Sequence, residues 1–228
     1  DIIIVGGGVI GASCAYHLSR RRDLRVALLD DKRPGNASRA SAGGLWAIGE
    51  SVGLGCGVIF FRTRARQMAG TAGTVGTAAD AATVSSTDAA VLVDASTPHI
   101  LPASFFEFAL ASNALFPGLH AELRDRHGMD LRLERSGLKY ILFDDEDRRY
   151  AEHIAARIPH LADHMRWLDA NQLRTEDPAV SHAAHGALEF IHDHQVNPFR
   201  LTDAFTEGAR QNGMHLFTGT TVTSVHRK

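Results

Sequence analysis

The stretch IIIVGGGVIG, residues 2–11, constrains the fold of this chain more than any other. Its four leading apolar residues are typical of a strand buried on both faces of a parallel sheet. Gly6, Gly8 and Gly11 then complete the pattern G-x-G-x-x-G, in which the first glycine permits a tight turn and the second admits a pyrophosphate close to the backbone. The third glycine lets the following helix pack against the strand. A strand, a glycine loop and a helix in this order predict a Rossmann-like domain that binds a dinucleotide.

The helix predicted after the loop, VIGASCAYHLSRR, carries small and apolar residues at helical spacing. Ile10, Cys14 and Leu18 recur on one face, and Ala12 and Ala15 lie beside them. We expect this face to press closely on the sheet, with Cys14 buried as a small hydrophobic residue. The amides and the dipole at the start of the helix favour a bound phosphate.

A second apolar strand, LRVALLD, ends in an acid about twenty residues after the loop, the spacing known for ribose-binding acids. Asp30 can accept hydrogen bonds from an adenosine ribose at this position. The spacing alone leaves both NAD and FAD open. The stretch PGNASRASAGGLW, residues 34–46, favours FAD, because its small residues suit a backbone segment that lies against a large flat cofactor.

Composition excludes several classes of protein. The net charge of −2 gives no electrostatic reason to expect a nucleic acid partner, and no apolar run is long enough to span a bilayer. Two cysteines are too few for a disulfide framework or a cysteine-only iron–sulfur or zinc site. The histidines at 182, 185, 192 and 194 do not share one side of one element, so we expect no metal site.

The motifs together resemble those of the FAD-dependent amine and amino acid oxidoreductases of the D-amino acid oxidase and glycine oxidase type. The resemblance is carried by GGGVIGASCAYHLS, LLDDKRPG and ASRASAGGLW. The longer run SRASAGGLWAIGESVGLGCGVIFF, with VDASTPHILP and RHGMDL later, is more similar still to the flavin subunits of bacterial hydrogen cyanide synthases. The resemblance covers residues 1–62 and 91–228.

The resemblance implies FAD as the cofactor and assigns a set of residues to it. The implied FAD-binding residues are Gly6, Gly8, Val9, Ile10 and Gly11 at the pyrophosphate, Asp30 at the adenosine ribose with Asp31 beside it, Ala37 and Ser38 on the phosphate side, Ala42, Gly43 and Gly44 near the flavin ring, and Val222, on a late strand, against the adenine. It singles out no catalytic residue, and it places the arginine that clamps the substrate carboxylate beyond residue 228.

The resemblance also implies an activity and partners. The expected reaction is oxidation of a small amine or amino acid, most closely of glycine to hydrogen cyanide and carbon dioxide. The electrons would pass to an acceptor chain. Enzymes of this kind work in a hetero-oligomer with other synthase subunits, at the cytoplasmic side of the bacterial membrane with which they associate peripherally. A purely cytoplasmic location is the alternative.

Three other functions are open at this stage. A glycine or D-amino acid oxidase or dehydrogenase, including the opine oxidase-like enzymes, would release the imine instead of cyanide. A non-catalytic nucleotide-binding subunit would bind flavin without reducing it. An NAD-dependent dehydrogenase ranks last, because residues 34–46 have no role in it.

The sequence predicts an α/β chain in which a Rossmann-like FAD-binding domain is interleaved with an α+β substrate domain. The predicted divisions are 1–62, the first part of the FAD-binding domain; 63–92, a flexible low-complexity insertion; 93–200, FAD-domain helices with part of the substrate domain; and 201–228, a return to the FAD-binding domain. Since these domains would otherwise leave bare strand edges, we expect the chain to be an N-terminal fragment of a protein roughly twice this size.

Several later elements are also predicted. They are one or two amphipathic helices over residues 102–128, broken near Pro117-Gly118; a strand at 137–143; a helix at 145–158; a strand at 187–191; a helix that begins at Asn197-Pro198; and a final pair of strands, MHLF and TTVTSV, at 214–217 and 220–225.

Overall fold

A computed structural model of the chain describes residues 1–52 and 101–226, and the predicted insertion at 63–92 lies outside the described residues. In chain order the described elements are β1 (Ile2–Val5), α1 (Val9–Ser19), β2 (Val26–Asp30), α2 (Ala37–Ala40), β3 (Gly44–Leu45), α3 (Ala103–His127), β4 (Leu138–Leu142), α4 (Asp145–Arg157), a 3-10 helix (Pro159–His164), β5 (Met165–Asp169), α5 (Ala170–Glu176), β6 (Gly186–Phe190), β7 (His194–Gln195), α6 (Pro198–Gln211) and β8 (His215–Thr218). Two compact units are formed. The first comprises Asp1–Leu45, Ser112–Arg135 and His194–Lys228, and the second comprises Trp46–Ala111 and Ser136–Asp193.

The first unit is built on a parallel sheet with the strand order β1-β2-β8. Ile4 pairs in register with Leu28 and packs into a core that strands and helices share. Parallel strands packed with helices confirm the predicted α/β class. The prediction that β1 is buried on both faces is wrong for the part of the chain that the structure describes. Ile3 and Val5 are 71% and 59% exposed, because the described helices cover only the face that Ile4 shares with Leu28.

Helices α1 and α6 pack against each other, and their buried side chains share a core with Ile4 and Leu28 of the sheet. The buried residues of α1 are Ala12, Ala15, Tyr16 and Ser19. The predicted packing face is therefore rotated: Ile10 is 79% exposed and Cys14 is exposed, contrary to the expectation of burial. The small side chains at 12 and 15 decide this orientation, because they allow the closest approach of the helix to its neighbours.

Tyr16 is the largest side chain of this packing and is fully buried. A Cβ on Gly208 of α6 would lie 2.7 Å from Tyr16 Cε2, so the glycine is what lets the ring fit. The Tyr16 hydroxyl donates to Glu122 Oε1 on α3 at 2.9 Å. Burial, with this hydrogen bond, raises the pKa of Tyr16 to about 12, so the hydroxyl stays protonated and remains a donor.

Replacing Tyr16 with phenylalanine is expected to lower the free energy of unfolding by about 1 kcal/mol. The ring is kept and only the hydrogen bond to Glu122 is lost, while Arg20 still pairs with that carboxylate at 3.2 Å. Urea unfolding of the full-length protein measures the difference. An unchanged midpoint would show that the hydroxyl contributes nothing to stability.

Helix α3 runs unbroken from Ala103 to His127 with Pro117 inside it. The predicted break at Pro117-Gly118 is therefore wrong. A proline removes one backbone hydrogen bond and usually kinks a helix. Here the residues before and after it are held by packing, Phe106 in the core of the second unit and Leu123 in that of the first. Tertiary packing outweighs the local penalty.

The second unit contains an antiparallel sheet with the strand order β4-β6-β5. The strands predicted at 137–143 and 187–191 match β4 and β6, and the helix predicted at 145–158 matches α4. The Asp144 side chain accepts from Asp147 N at 2.8 Å and caps α4, and Asp169 forms a capping box with Gln172 at the start of α5.

Opposite faces of this sheet differ in chemistry. One face carries Leu188 and Phe190 into an apolar core shared with α4 and the 3-10 helix. On the other face Glu189, only 3% exposed, lies 3.5 Å from Lys139 Nζ and accepts from Arg166 Nε at 2.6 Å. The buried carboxylate is thus fully paired, as burial of a charge requires.

The last part of the chain departs from the prediction. Strand β8 covers His215–Thr218, close to the predicted MHLF, but residues 220–225 form no strand. Thr220 N donates to Asp30 O at 3.3 Å, but the ladder of β2 with β8 ends at Thr218, and no further strand pairing is found for residues 220–225 in the part of the chain that the structure describes. Among the described residues no helix is long and apolar enough to cross a membrane.

Candidate functional site

The glycine loop between β1 and α1 turns as the sequence predicts. Gly6 has φ of +100°, a conformation that favours glycine, and its N–H donates to Leu29 O at 2.8 Å. A Cβ on Gly11 would lie 1.9 Å from Gly6 O. Any side chain at Gly11 would therefore push the helix away from the loop, which is the physical reason for the third glycine.

The start of α1 is arranged like an anion site. Gly8 is its N-cap and provides no capping side chain, whereas the N–H of Val9 donates to Ser38 Oγ at 2.8 Å. A Cβ on Gly7 would lie 2.7 Å from Asp30 Oδ2, and one on Gly8 would lie 3.1 Å from Ser38 Oγ. The glycines thus bring backbone amides, a hydroxyl and a carboxylate close together. Exposed amides at a helix N-terminus bind phosphate groups.

Asp30 ends β2 beside this loop, and its side chain is 18% exposed. Lys32 Nζ lies 3.7 Å from its Oδ2. The neighbouring Asp31 is engaged instead, because its carboxylate pairs with the Arg33 guanidinium and accepts from Arg33 N at 3.3 Å. Asp30 is therefore the freer of the two carboxylates to accept hydrogen bonds from a ribose.

A cavity of about 430 Å³ opens at this point. Its lining residues are Gly6, Gly7, Gly8, Asp30, Asp31, Lys32, Arg33, Pro34, Gly35, Asn36, Arg39, Thr202, Asp203 and Thr206. A smaller, more apolar cavity of about 220 Å³ lies beside the start of α1 and is lined by Val9, Ser38, Ser41, Gly43, Gly44, Leu45, Phe116, Val196, Pro198 and Leu201. Ser38, predicted on the phosphate side, thus lines the same small cavity as Gly43 and Gly44, predicted near the ring. Gly6, Gly8 and Asp30 line the larger cavity.

The segment predicted to lie against the cofactor is positioned by contacts of its backbone. The Asn36 side chain accepts from Arg39 N at 3.0 Å and caps α2. Beyond α2, Gly43 has φ of +78°, and a Cβ there would lie 1.9 Å from Val196 O. Val196 N donates to Gly43 O at 2.9 Å, and β3 then pairs antiparallel with β7. The small residues are required because two backbone strands approach so closely here.

The remaining predicted residues are more peripheral. Ala42 lies at a third cavity, of about 470 Å³, where Gln195 Nε2 donates to its carbonyl oxygen at 3.3 Å. Ile10 projects outward from the first turn of α1. Ala37 opens α2 and is exposed. Val222 is half-buried and lies outside any strand, so the prediction that it sits on a late strand is wrong for the described structure.

The sequence did not indicate the wall contributed by α6. Arg39 NH2 lies 3.5 Å from Asp203 Oδ1, and its guanidinium lies 5.4 Å from the centre of the Phe199 ring. Thr202 and Thr206 complete this side of the 430 Å³ cavity. These residues are distant from the glycine loop in sequence, and only the packing of α2 beside α6 reveals them.

The described residues bring no three histidine, cysteine, aspartate or glutamate side chains together as a metal site. His192 instead faces His164, with ring centroids 4.9 Å apart. Burial lowers the pKa of His164, which favours a neutral ring in this pair.

Replacing Asp30 with asparagine is expected to weaken binding of FAD by about tenfold to a hundredfold, the loss of one to two hydrogen bonds to a charged acceptor. Titration of the full-length apoprotein with FAD, followed by quenching of flavin fluorescence, measures the affinity. Asp23→Asn is the matched control, because that carboxylate is 64% exposed and pairs with Arg21 on the surface. Equal affinities for wild type and D30N would show that Asp30 does not hold the ribose.

The chain resembles known proteins over its whole length. A sequence model of the family described as "DAO: FAD dependent oxidoreductase" matches residues 1–228. The chain is 65% identical, over its full length, to the hydrogen cyanide synthase subunit HcnC of Pseudomonas aeruginosa, and covers 51% of that protein. It is 29% identical to the glycine oxidase of Bacillus licheniformis, over 99% of the chain and 47% of that enzyme.

Solved structures also resemble this chain over nearly its whole length. The crystal structure of glycine oxidase from Geobacillus kaustophilus superimposes with a TM-score of 0.69 at 26% identity, covering 99% of this chain and 48% of that one. The chain spans about half the length of the curated relatives it matches.

Proposed function

Because the chain belongs to the family of FAD-dependent oxidoreductases, we propose that it is the FAD-binding part of an enzyme that oxidises glycine to hydrogen cyanide and carbon dioxide. The observation that carries this choice is the 65% identity over the whole chain to a hydrogen cyanide synthase subunit, against 29% to a glycine oxidase. The two groups of relatives share the family, and the difference in identity favours the cyanide-forming reaction.

The residues of the first unit fit FAD. The glycine loop leaves room for a pyrophosphate where side chains would collide, and the amide of Val9 with the Ser38 hydroxyl lies at the start of α1. Asp30 would bind the adenosine ribose, with Asp31 beside it. The proposed FAD-binding residues are Gly6, Gly8, Val9, Ile10 and Gly11 for the pyrophosphate, Ala37 and Ser38 for the phosphate side, Ala42, Gly43 and Gly44 for the ring, and Val222 for the adenine.

FAD, when bound, supplies the two-electron acceptor for each oxidation. The conversion of glycine to hydrogen cyanide and carbon dioxide releases four electrons and four protons, so two successive oxidations are needed. The contribution of this chain is to bind and orient: Gly43 and Gly44 present backbone rather than side chains, and their pairing with residues 195–196 keeps that surface rigid. Rigid positioning of reactants accounts for a large share of enzymatic rate enhancement.

We further propose that the full protein works with other subunits. The relatives from Pseudomonas aeruginosa and Pseudomonas protegens are both named as subunits of hydrogen cyanide synthase. The electrons would then leave through a partner and an acceptor chain, at the cytoplasmic side of the membrane. Co-purification of a tagged full-length protein with its partners tests this part of the proposal.

The alternative activity is that of a glycine oxidase, favoured by the whole-chain likeness to the solved enzyme at 26% identity. Such an enzyme would release the imine, and reoxidation by oxygen would give hydrogen peroxide. Assaying cyanide and peroxide side by side with glycine as substrate separates the two. Cyanide formation in proportion to glycine consumed is expected, and peroxide without cyanide would favour the oxidase.

A further inference from the structure

The carboxylate of Asp193, in the turn between β6 and β7, is fully buried. Oδ1 accepts from Ile48 N at 3.1 Å and Oδ2 accepts from Gly49 N at 2.8 Å. Among the described residues no lysine or arginine forms an ion pair with it. Burying a carboxylate costs free energy unless its oxygens are hydrogen-bonded. The backbone amides of Ile48 and Gly49 supply these hydrogen bonds to Asp193.

The Asp193 side chain satisfies both amides when it is an ionised carboxylate. Burial raises the pKa of Asp193 to about 6, with Glu50 acting in the same direction, while the amides of residues 47–49 oppose the shift. The group is thus charged at neutral pH. Two neighbouring N–H donors need two acceptors, which a carboxylate provides. An asparagine would offer one oxygen and would turn its own NH₂ toward the other donor.

The segment that Asp193 holds is tightly packed. Ile48 is fully buried in the core of the second unit. A Cβ on Gly49 would lie 2.4 Å from Leu138 Cδ2 and 3.1 Å from Asp193 Oδ2. The backbone at residues 48–49 follows β3 and lies beyond its ladder with β7, so the Asp193 oxygens take the place of strand partners for these amides.

The same two chain segments are paired over the residues assigned to the flavin ring. Gly43 O accepts from Val196 N, Gly44 lies opposite Gln195, and Leu45 lies opposite His194. The next residue of the second segment is Asp193 itself, bound to residues 48 and 49 of the first. The pairing that begins with backbone hydrogen bonds at Gly43 is thus continued by a side chain.

We propose that Asp193 is a positioning residue for the flavin: its carboxylate fixes the backbone at Ile48 and Gly49 and so holds the preceding Gly43–Leu45 segment in place beside the ring. This inference rests on the proposed function, which assigns that segment to the ring. Asp193 does not touch the reacting atoms in this account. It acts through the backbone that it anchors, and small displacements of positioned groups are known to cost about a hundredfold in rate.

The test compares Asp193→Asn with wild type in the full-length, flavin-loaded protein. The measurements are the visible flavin spectrum, the flavin midpoint potential, turnover with glycine and the melting temperature. Glu189→Gln is the matched control, because Glu189 is an equally buried carboxylate of the same unit that pairs with Lys139 and Arg166 on the sheet face toward α5.

We expect D193N to shift the spectrum and the potential and to lower turnover by about tenfold or more. E189Q should lower the melting temperature while leaving the flavin signals and turnover within about twofold of wild type, since Glu189 pairs with the side chains of Lys139 and Arg166 rather than with the backbone at Ile48 and Gly49. If D193N lowers only the melting temperature and keeps wild-type spectrum, potential and turnover, the positioning role is overturned.

A second variant covers the case in which D193N does not fold. Asp193→Glu keeps the charge but moves the carboxylate by one methylene, so it should shift the same flavin signals and reduce turnover; wild-type values in D193E would overturn the inference. The wild-type protein separates this result from failure of the proposed function. If wild type binds no flavin or is not reduced by glycine, the function fails whatever Asp193 does.

Discussion

Replacing Gly11 with alanine should weaken binding of FAD by about a hundredfold. The new Cβ would lie 1.9 Å from Gly6 O, about half of a normal contact distance, and neither atom belongs to a flexible side chain. Relief requires α1 to move away from β1, which separates the amide of Val9 from Ser38. Overpacking of this kind costs about 1–3 kcal/mol or more, so we expect affinity for FAD to fall by about a hundredfold.

The control for this variant is Gly118→Ala. Gly118 lies inside α3, and a Cβ there would meet nothing within 4 Å. Alanine at a helical position should stabilise the protein by about 0.5–1 kcal/mol and leave flavin binding unchanged. Flavin retained through gel filtration measures the effect of both substitutions. A G11A protein that keeps a full complement of flavin would contradict the assignment of the loop to the pyrophosphate.

Replacing Gly43 with alanine is expected to have the second-largest effect. It combines two penalties, a φ of +78° that L side chains rarely adopt and a Cβ placed 1.9 Å from Val196 O. The variant should therefore lose the pairing of Gly43 with Val196 and disturb β3. We expect turnover with glycine to fall at least about tenfold and the flavin spectrum to change, because strain of about 1–3 kcal/mol falls on the segment proposed to lie beside the ring.

Gly128→Ala isolates the backbone penalty from the collision. Gly128 has a similar φ of +70°, but a Cβ there would meet nothing within 4 Å. It should lower stability by about 1 kcal/mol without altering the flavin spectrum. If G43A and G128A behave alike in turnover and in spectrum, the close approach of Gly43 to Val196 has no role in placing the ring.

The sequence predicted the strand, the glycine turn and the helix at the start of the chain, because these elements are encoded locally. A strand, three spaced glycines, a helix and a terminal acid lie within the first thirty residues. Gly6 adopts a positive φ, and a Cβ on Gly8 or Gly11 would lie too close to a neighbouring atom. The α/β class, the family and FAD as its cofactor were all predicted and are confirmed. The α6 helix was also predicted correctly from Asn197, which caps it, and Pro198 at its first position.

The errors arise where distant residues decide the structure. The orientation of α1 depends on what packs against Ala12 and Ala15, and the continuity of α3 through Pro117 depends on packing at both of its ends. Residues 220–225 could not be assigned from propensity alone, since a strand exists only with a partner. The contacts of Asp193 with Ile48 and of Arg39 with Asp203 likewise join residues far apart in the chain, and no local pattern indicates them.

The visible absorption spectrum of the purified full-length protein, recorded anaerobically before and after addition of glycine, tests both the proposed cofactor and the proposed substrate. We expect a yellow protein whose flavin absorption bleaches with glycine. A yellow protein that glycine does not bleach would contradict the proposed substrate while keeping the cofactor. A colourless protein that FAD cannot reconstitute would contradict the assignment of the glycine loop and Asp30 to this cofactor.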